Sequence, residues 1–156
     1  MPDLAAQSPG AGLFPLRHGG ITARELPRAP IHVAPSDIAP GTWRAEGEGR
    51  LLWFAAGQGA WLGAAPPGPA FDQTDAWCRV VLAGPGSEDV LARLVPLDMA
   101  ALGEGACART QVGHMDGLVA RTPEGVEIWV FRSMAATLAH DLARAMRHVA
   151  ARRARL

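Results

Sequence analysis

Few side chains in this sequence of 156 residues are of a type and spacing that could do chemistry. Zinc needs three or four Cys, His or carboxylate ligands at converging positions. Cys107, His114 and His140 are the available set, and no second pair stands at ligand spacing. A small buried Cys and a turn His account for the first two more simply. A thiol nucleophile needs exposure and a base, whereas Cys78 lies inside the apolar run Trp77 to Leu82. Gly57-Gln58-Gly59-Ala60-Trp61-Leu62-Gly63 is glycine-rich, but it misses the GxGxxG spacing and carries a bulky Trp where a phosphate would approach. Asp72, Asp75 and Asp98 could act as acids or bases, yet none has a carboxylate or His partner at defined spacing. Asp72-Gln73-Thr74-Asp75 suits a turn cap instead. The Arg-rich stretch from Arg144 to Arg155 reads as a solvated helix end. With no Lys and no Tyr, the chain offers no Schiff-base Lys, no P-loop Lys and no Tyr proton donor.

Composition sets further bounds. Fifteen Arg balance 15 Asp+Glu, which removes the electrostatic case for nucleic acid or an anionic membrane. Hydrophobic residues at 49% and charged residues at 19% belong to a folded chain with a real core. Two Cys make no disulfide framework. The opening residues lack the basic and apolar regions of a secretory leader, and no apolar run reaches membrane-spanning length. The expected compartment is the cytoplasm.

The elements that must hold these residues divide the chain. Ten of the 13 Pro and 11 of the 18 Gly fall in the first 70 residues. Residues 1–20 read as an extended tail pinned by Leu13, Phe14 and Leu16. A single α+β domain is expected over 21–151, with a first half at 21–64, a linker at 65–71, a second half at 72–151 and a C-terminal tail at 152–156. In the first half, strands are expected at Ile21 to Leu26 and Ile31 to Ala34, and Pro35 to Gly49 reads as a loop. Arg50 to Ala55 and Gly59 to Ala64 form a hairpin about Gly57-Gln58. In the second half a strand at Trp77 to Leu82 precedes a helix capped by Ser87 and ended by Pro96. Strands follow at Cys107 to Val112 and Leu118 to Arg121. The turn Thr122-Pro123-Glu124-Gly125 leads into Val126 to Phe131, with Val126, Ile128 and Val130 on one face. A long helix opens at Ser133 with an apolar stripe of Met134, Leu138, Leu142, Ala145, Met146 and Val149. The order β-α-β-β-β-α means antiparallel sheet with helices on one face. Gly49-Arg50-Leu51-Leu52-Trp53-Phe54 echoes Gly125-Val126-Glu127-Ile128-Trp129-Val130, as two similar halves would.

Some runs carry a family resemblance. Thr74-Asp75-Ala76-Trp77, Val90-Leu91-Ala92-Arg93-Leu94-Val95-Pro96-Leu97-Asp98, Ala108-Arg109-Thr110 and Gly113-His114-Met115 are of this kind. The most specific is Val130-Phe131-Arg132-Ser133-Met134-Ala135-Ala136-Thr137-Leu138. Together they resemble the gamma subunit of heterotetrameric sarcosine oxidase over about Asp72 to Ala151, with a weaker match at Ser8-Pro9 and Gly12-Leu13. The resemblance implies a fold related to the folate-binding aminomethyltransferase (glycine-cleavage T-protein) group, built from two ferredoxin-like halves. Here the first half is abridged, because Pro35 to Gly49 is short and has no helical stripe.

The resemblance also implies a complex that oxidises sarcosine to glycine with release of hydrogen peroxide, the one-carbon unit leaving as formaldehyde or 5,10-methylenetetrahydrofolate. FAD, FMN, NAD and tetrahydrofolate then belong to partner subunits, and this chain holds neither cofactor, metal nor catalytic residue. Its partners are the alpha, beta and delta subunits, mainly alpha, and its role is structural. Leu13, Phe14, Trp53 and Trp61 are the expected interface residues, in the half with the least regular structure to bury them. Two other classes compete: a free-standing folate-binding protein of the aminomethyltransferase type, and a small-ligand-binding α+β module.

Overall fold

β-Branched and aromatic runs broken by glycine and proline build eleven strands in the computed structural model, which describes residues 7–156. They are β1 (Leu16–His18), β2 (Ile21–Glu25), β3 (Ile31–Pro35), β4 (Trp43–Glu46), β5 (Gly49–Ala55), β6 (Gln58–Leu62), β7 (Phe71–Asp72), β8 (Trp77–Ala83), β9 (Cys107–Val112), β10 (Met115–Thr122) and β11 (Gly125–Phe131). Two α-helices accompany them, α1 (Ser87–Leu91) and α2 (Ala135–Arg153). All strand pairs are antiparallel. One sheet has the order β1-β2-β8-β11-β10-β9, the other β4-β5-β6-β3-β7. The fold is α+β, as expected.

Three layers result. Both helices cover one face of the six-stranded sheet, where Leu138, Leu142, Met146 and Val149 meet Val80, Leu82, Val126, Ile128 and Val130. The opposite face of that sheet packs on the five-stranded sheet. Trp77, Cys107, Leu118 and Trp129 lie there against Ile31, Val33, Leu52 and Leu62. At one corner the sheets are stitched together by the bridge Thr42–Ala106 and by hydrogen bonds from Trp43 N–H to Gly105 O and from Cys107 N–H to Gly41 O. Residues 21–64 supply strands only and share them between both sheets, since β2 pairs with β8 while β3 to β6 form the second sheet.

Several expectations are corrected. The loop expected at Pro35 to Gly49 contains β4, because the Trp43 ring enters the gap between the sheets and its Nε1–H donates to Arg121 O at 2.7 Å. The expected tail at 1–20 lies outside the described residues as far as residue 6. Beyond that, β1 joins β2 at the sheet edge, and Leu13, Phe14 and Leu16 pack on the helical-side core. The linker at 65–71 ends in a strand, with Phe71 pairing to β3. Ser87 is the first residue of α1 and not its cap. The preceding Gly86, at φ +94°, starts the helix, and a Cβ there would come within 3.1 Å of Val149 and 3.0 Å of Arg153. Ser133 sits in a 3-10 turn, Arg132–Met134, ahead of α2. Met134 leaves the stripe at 41% exposure, and Ala135 and Ala139 are buried on it.

Both thiols are enclosed. Burial pushes Cys78 up to about 12 and Cys107 up to about 11, because a thiolate there would lose its hydration. Both folded values exceed the ordinary 9.0. The stability they contribute is therefore complete below pH 9 and lost as the pH rises above it, where the unfolded chain releases its protons first. A thiol reagent at pH 8 is expected to leave both Cys untouched in the folded chain and to titrate both in denaturant. Rapid labelling of the folded chain would contradict the packing.

Candidate functional site

The sequence-derived chemical residues do not converge. Cys107 is 1% exposed between the sheets, its Sγ–H donating to Thr42 O at 3.1 Å. His114 is exposed on the β9–β10 turn and His140 is exposed on α2. No group of three His, Cys, Asp or Glu comes together among the described residues. The glycine-rich segment Gly57 to Gly63 is the β5–β6 hairpin, an antiparallel turn rather than a strand–loop–helix unit. Asp72 accepts from Thr74 N–H at 2.9 Å and Asp98 from Ala100 N–H at 3.0 Å, so both tie turns. The hydrogen bonds from Thr74 hold Asp72 below the ordinary carboxylate range. Asp75 receives two bonds from Arg28, at 2.9 and 3.2 Å, which lower it likewise. Of the Arg-rich end, Arg152 pairs with Asp89 at 3.0 Å and joins α2 to α1.

The four expected interface residues fare differently. Leu13, Phe14 and Trp53 are half-buried. Trp61 is 4% exposed, closed in with Ala34, Ile38 and Leu51 on the outer face of the five-stranded sheet, which corrects the expectation that it stays uncovered. The chain from Pro35 to Ile38 folds back over that face, with Ser36 Oγ accepting from Ile38 N–H at 3.1 Å.

The exposed aromatic surface lies elsewhere. At one end of β8 and β11, Phe131 stacks on Trp77 with centroids 4.7 Å apart, and Phe54 meets Trp77 edge-on at 5.9 Å. The Arg109 guanidinium lies over Phe54 at 4.6 Å and over Trp77 at 5.6 Å. Phe131 is 43% exposed and Met134 follows it, while Phe71 is 76% exposed on β7. Trp77 is 5% exposed and supports the others from beneath, while Phe54, Phe131 and Arg109 reach the surface, residue types enriched at interfaces. Phe131 and Met134 both fall in the most specific resembling run, but which face of β11 stayed open could not be read without the second sheet.

The second feature is a charge cluster between the sheets. Glu127 is buried and accepts from Arg50 Nη2–H and, at 2.7 Å, from Trp129 Nε1–H. Arg79 Nε stands 3.5 Å from the same carboxylate. Arg50 lies over the Trp43 ring at 5.2 Å and Arg79 over Trp129 at 5.5 Å. Nη1 of Arg50 and both Nε and Nη1 of Arg79 are buried without an acceptor. These residues escaped the sequence reading, although the signal was present: charges at Arg79 and Glu127 interrupt strands apolar on both sides.

Comparison with known proteins places this arrangement in a known fold. No family model matches the sequence, and no curated protein matches it. Among solved structures, the chain is similar to one in heterotetrameric sarcosine oxidase from Corynebacterium sp. U-96 in complex with pyrrole 2-carboxylate. The TM-score is 0.78 at 17% identity, covering 93% of this chain and 96% of that one. The likeness establishes a shared fold over nearly the full length of both chains. No helix among the described residues is long and apolar enough to cross a membrane.

Proposed function

We propose that this chain is a non-catalytic subunit of gamma type in a sarcosine oxidase complex, docked mainly on the alpha subunit. The observation that carries the reading is the coextensive fold, which spans 93% of this chain and 96% of the sarcosine oxidase chain it resembles. The residue-level resemblance over Asp72 to Ala151 supports it independently. FAD, FMN, NAD and tetrahydrofolate are assigned to partner subunits, where sarcosine, oxygen and water would become glycine, formaldehyde and hydrogen peroxide.

The role of the chain is mechanical: it covers apolar surface of its partner and gains stability by the same contact. The docking face is assigned to the Phe54 and Phe131 rings with Met134, extended by Trp53, with the buried Trp77 ring as their support. Leu13 and Phe14 contribute at their half-exposed edges. Trp61 is left out because its ring is already covered.

Capture of the tagged chain from its host tests the reading. Flavoprotein subunits are expected to co-purify in fixed proportion, and Phe131→Ser with Met134→Ser is expected to release them while the helical core stays folded. A chain recovered alone, monomeric and silent to a hydrophobic dye would overturn the subunit role in favour of a stand-alone binding module.

A further inference from the structure

The gap between the sheets at Arg50 and Arg79 holds more positive charge than its one buried carboxylate balances. A cavity of about 370 Å³ opens there, lined among others by Trp43, Arg50, Arg79, Leu26, Val81 and Glu127. Arg79 and Leu26 also line a second cavity, of about 530 Å³. The Arg79 side chain is 10% exposed, Arg50 21% and Glu127 3%. At the rim Glu124 is paired with Arg24, so neither alters the balance. Two guanidiniums therefore face one carboxylate, leaving an excess of one positive charge.

Buried guanidinium hydrogens without acceptors are costly, and native structures rarely leave several in one place. Three such nitrogens, Arg50 Nη1 and Arg79 Nε and Nη1, belong to two of the residues that line this cavity. Burial also holds the Arg79 guanidinium below its ordinary range, as expected of a cation with too little counter-charge.

We propose that this cavity binds a small monocarboxylate, whose two oxygens accept from Arg50 and Arg79 and whose apolar body lies against Leu26, Val81 and Trp43. The planar guanidinium fork matches the two-oxygen head, and a single negative charge completes the balance. A phosphate dianion would overshoot it beside Glu127. The site is separate from the aromatic docking face and does not depend on the subunit reading.

Trp43 and Trp129 each lie against one of the two arginines, so tryptophan emission reports on the site directly. Titration of the full chain with cyclohexanecarboxylate is expected to give a saturable change, with a dissociation constant on the order of 1 mM for so small a probe. The neutral cyclohexanecarboxamide, of the same shape, is expected to give none. Arg79→Met should weaken the response at least about tenfold, and Arg147→Met, on the exposed side of α2, should leave it unchanged. Equal responses to acid and amide, saturation by inorganic phosphate alone, or an unchanged response in folded Arg79→Met would each overturn the proposal. Should Arg79→Met not fold, the acid–amide comparison on the unaltered chain decides alone.

Discussion

Glu127→Gln is expected to destabilise the chain by about 3–5 kcal/mol, the range for removing one partner from a buried ion cluster. The substitution keeps the shape of the side chain and deletes only its charge. What it leaves behind is the expensive part: Arg50 and Arg79, both lodged between the sheets, with no anion within reach. Trp129→Phe provides the contrast. It removes the indole donor that bonds Glu127 Oε1 and trims a fully buried ring that lies under Arg79, so about 2 kcal/mol is expected. Urea denaturation of the three proteins measures both. If Glu127→Gln cost no more than Trp129→Phe, the carboxylate would not be what makes the buried arginines tolerable.

Leu138→Asp is expected to cost at least about 4 kcal/mol and to leave the chain largely unfolded at 37 °C. Leu138 is fully buried on α2, in the layer that seals the helical face of the six-stranded sheet. An aspartate there both empties the site and brings an unpaired charge into it. Arg147, on the exposed side of the same helix, should tolerate Ala with a change under about 0.5 kcal/mol. Thermal melts that ranked the two the other way round would place α2 on the wrong face.

The second half was legible because local signals and long-range packing agree there. A period near 3.6 fixed α2, and alternation at Val126, Ile128 and Val130 gave the face of β11 that α2 covers. What could not be read was the layer on the other side of that sheet. The alternate residues Glu127, Trp129 and Phe131 look like a solvent face when taken alone, and β3 to β6 bury two of them. Arg79 and Glu127 consequently went unnoticed as a pair, because their proximity depends on β8 lying beside β11 with Arg79 opposite Trp129. The order of the Gly/Pro-rich half is hard to see in its sequence for a related reason. β4 has weak local propensity and is held by Trp43 reaching Arg121, a contact 78 residues away in sequence. Nothing local to Trp61 announces that Ile38 and its loop cover its ring.

The role proposed for this chain is that of a covered part of a larger oxidase. Co-expression with an alpha-type sarcosine oxidase subunit, followed by mass measurement of the native species, tests it most directly. One species containing both chains in fixed proportion is expected, with flavin absorbance arising only in the partner-containing material, and loss of that species with Phe131→Ser and Met134→Ser. Two separate species, with this chain a dye-silent monomer at high concentration, would contradict it.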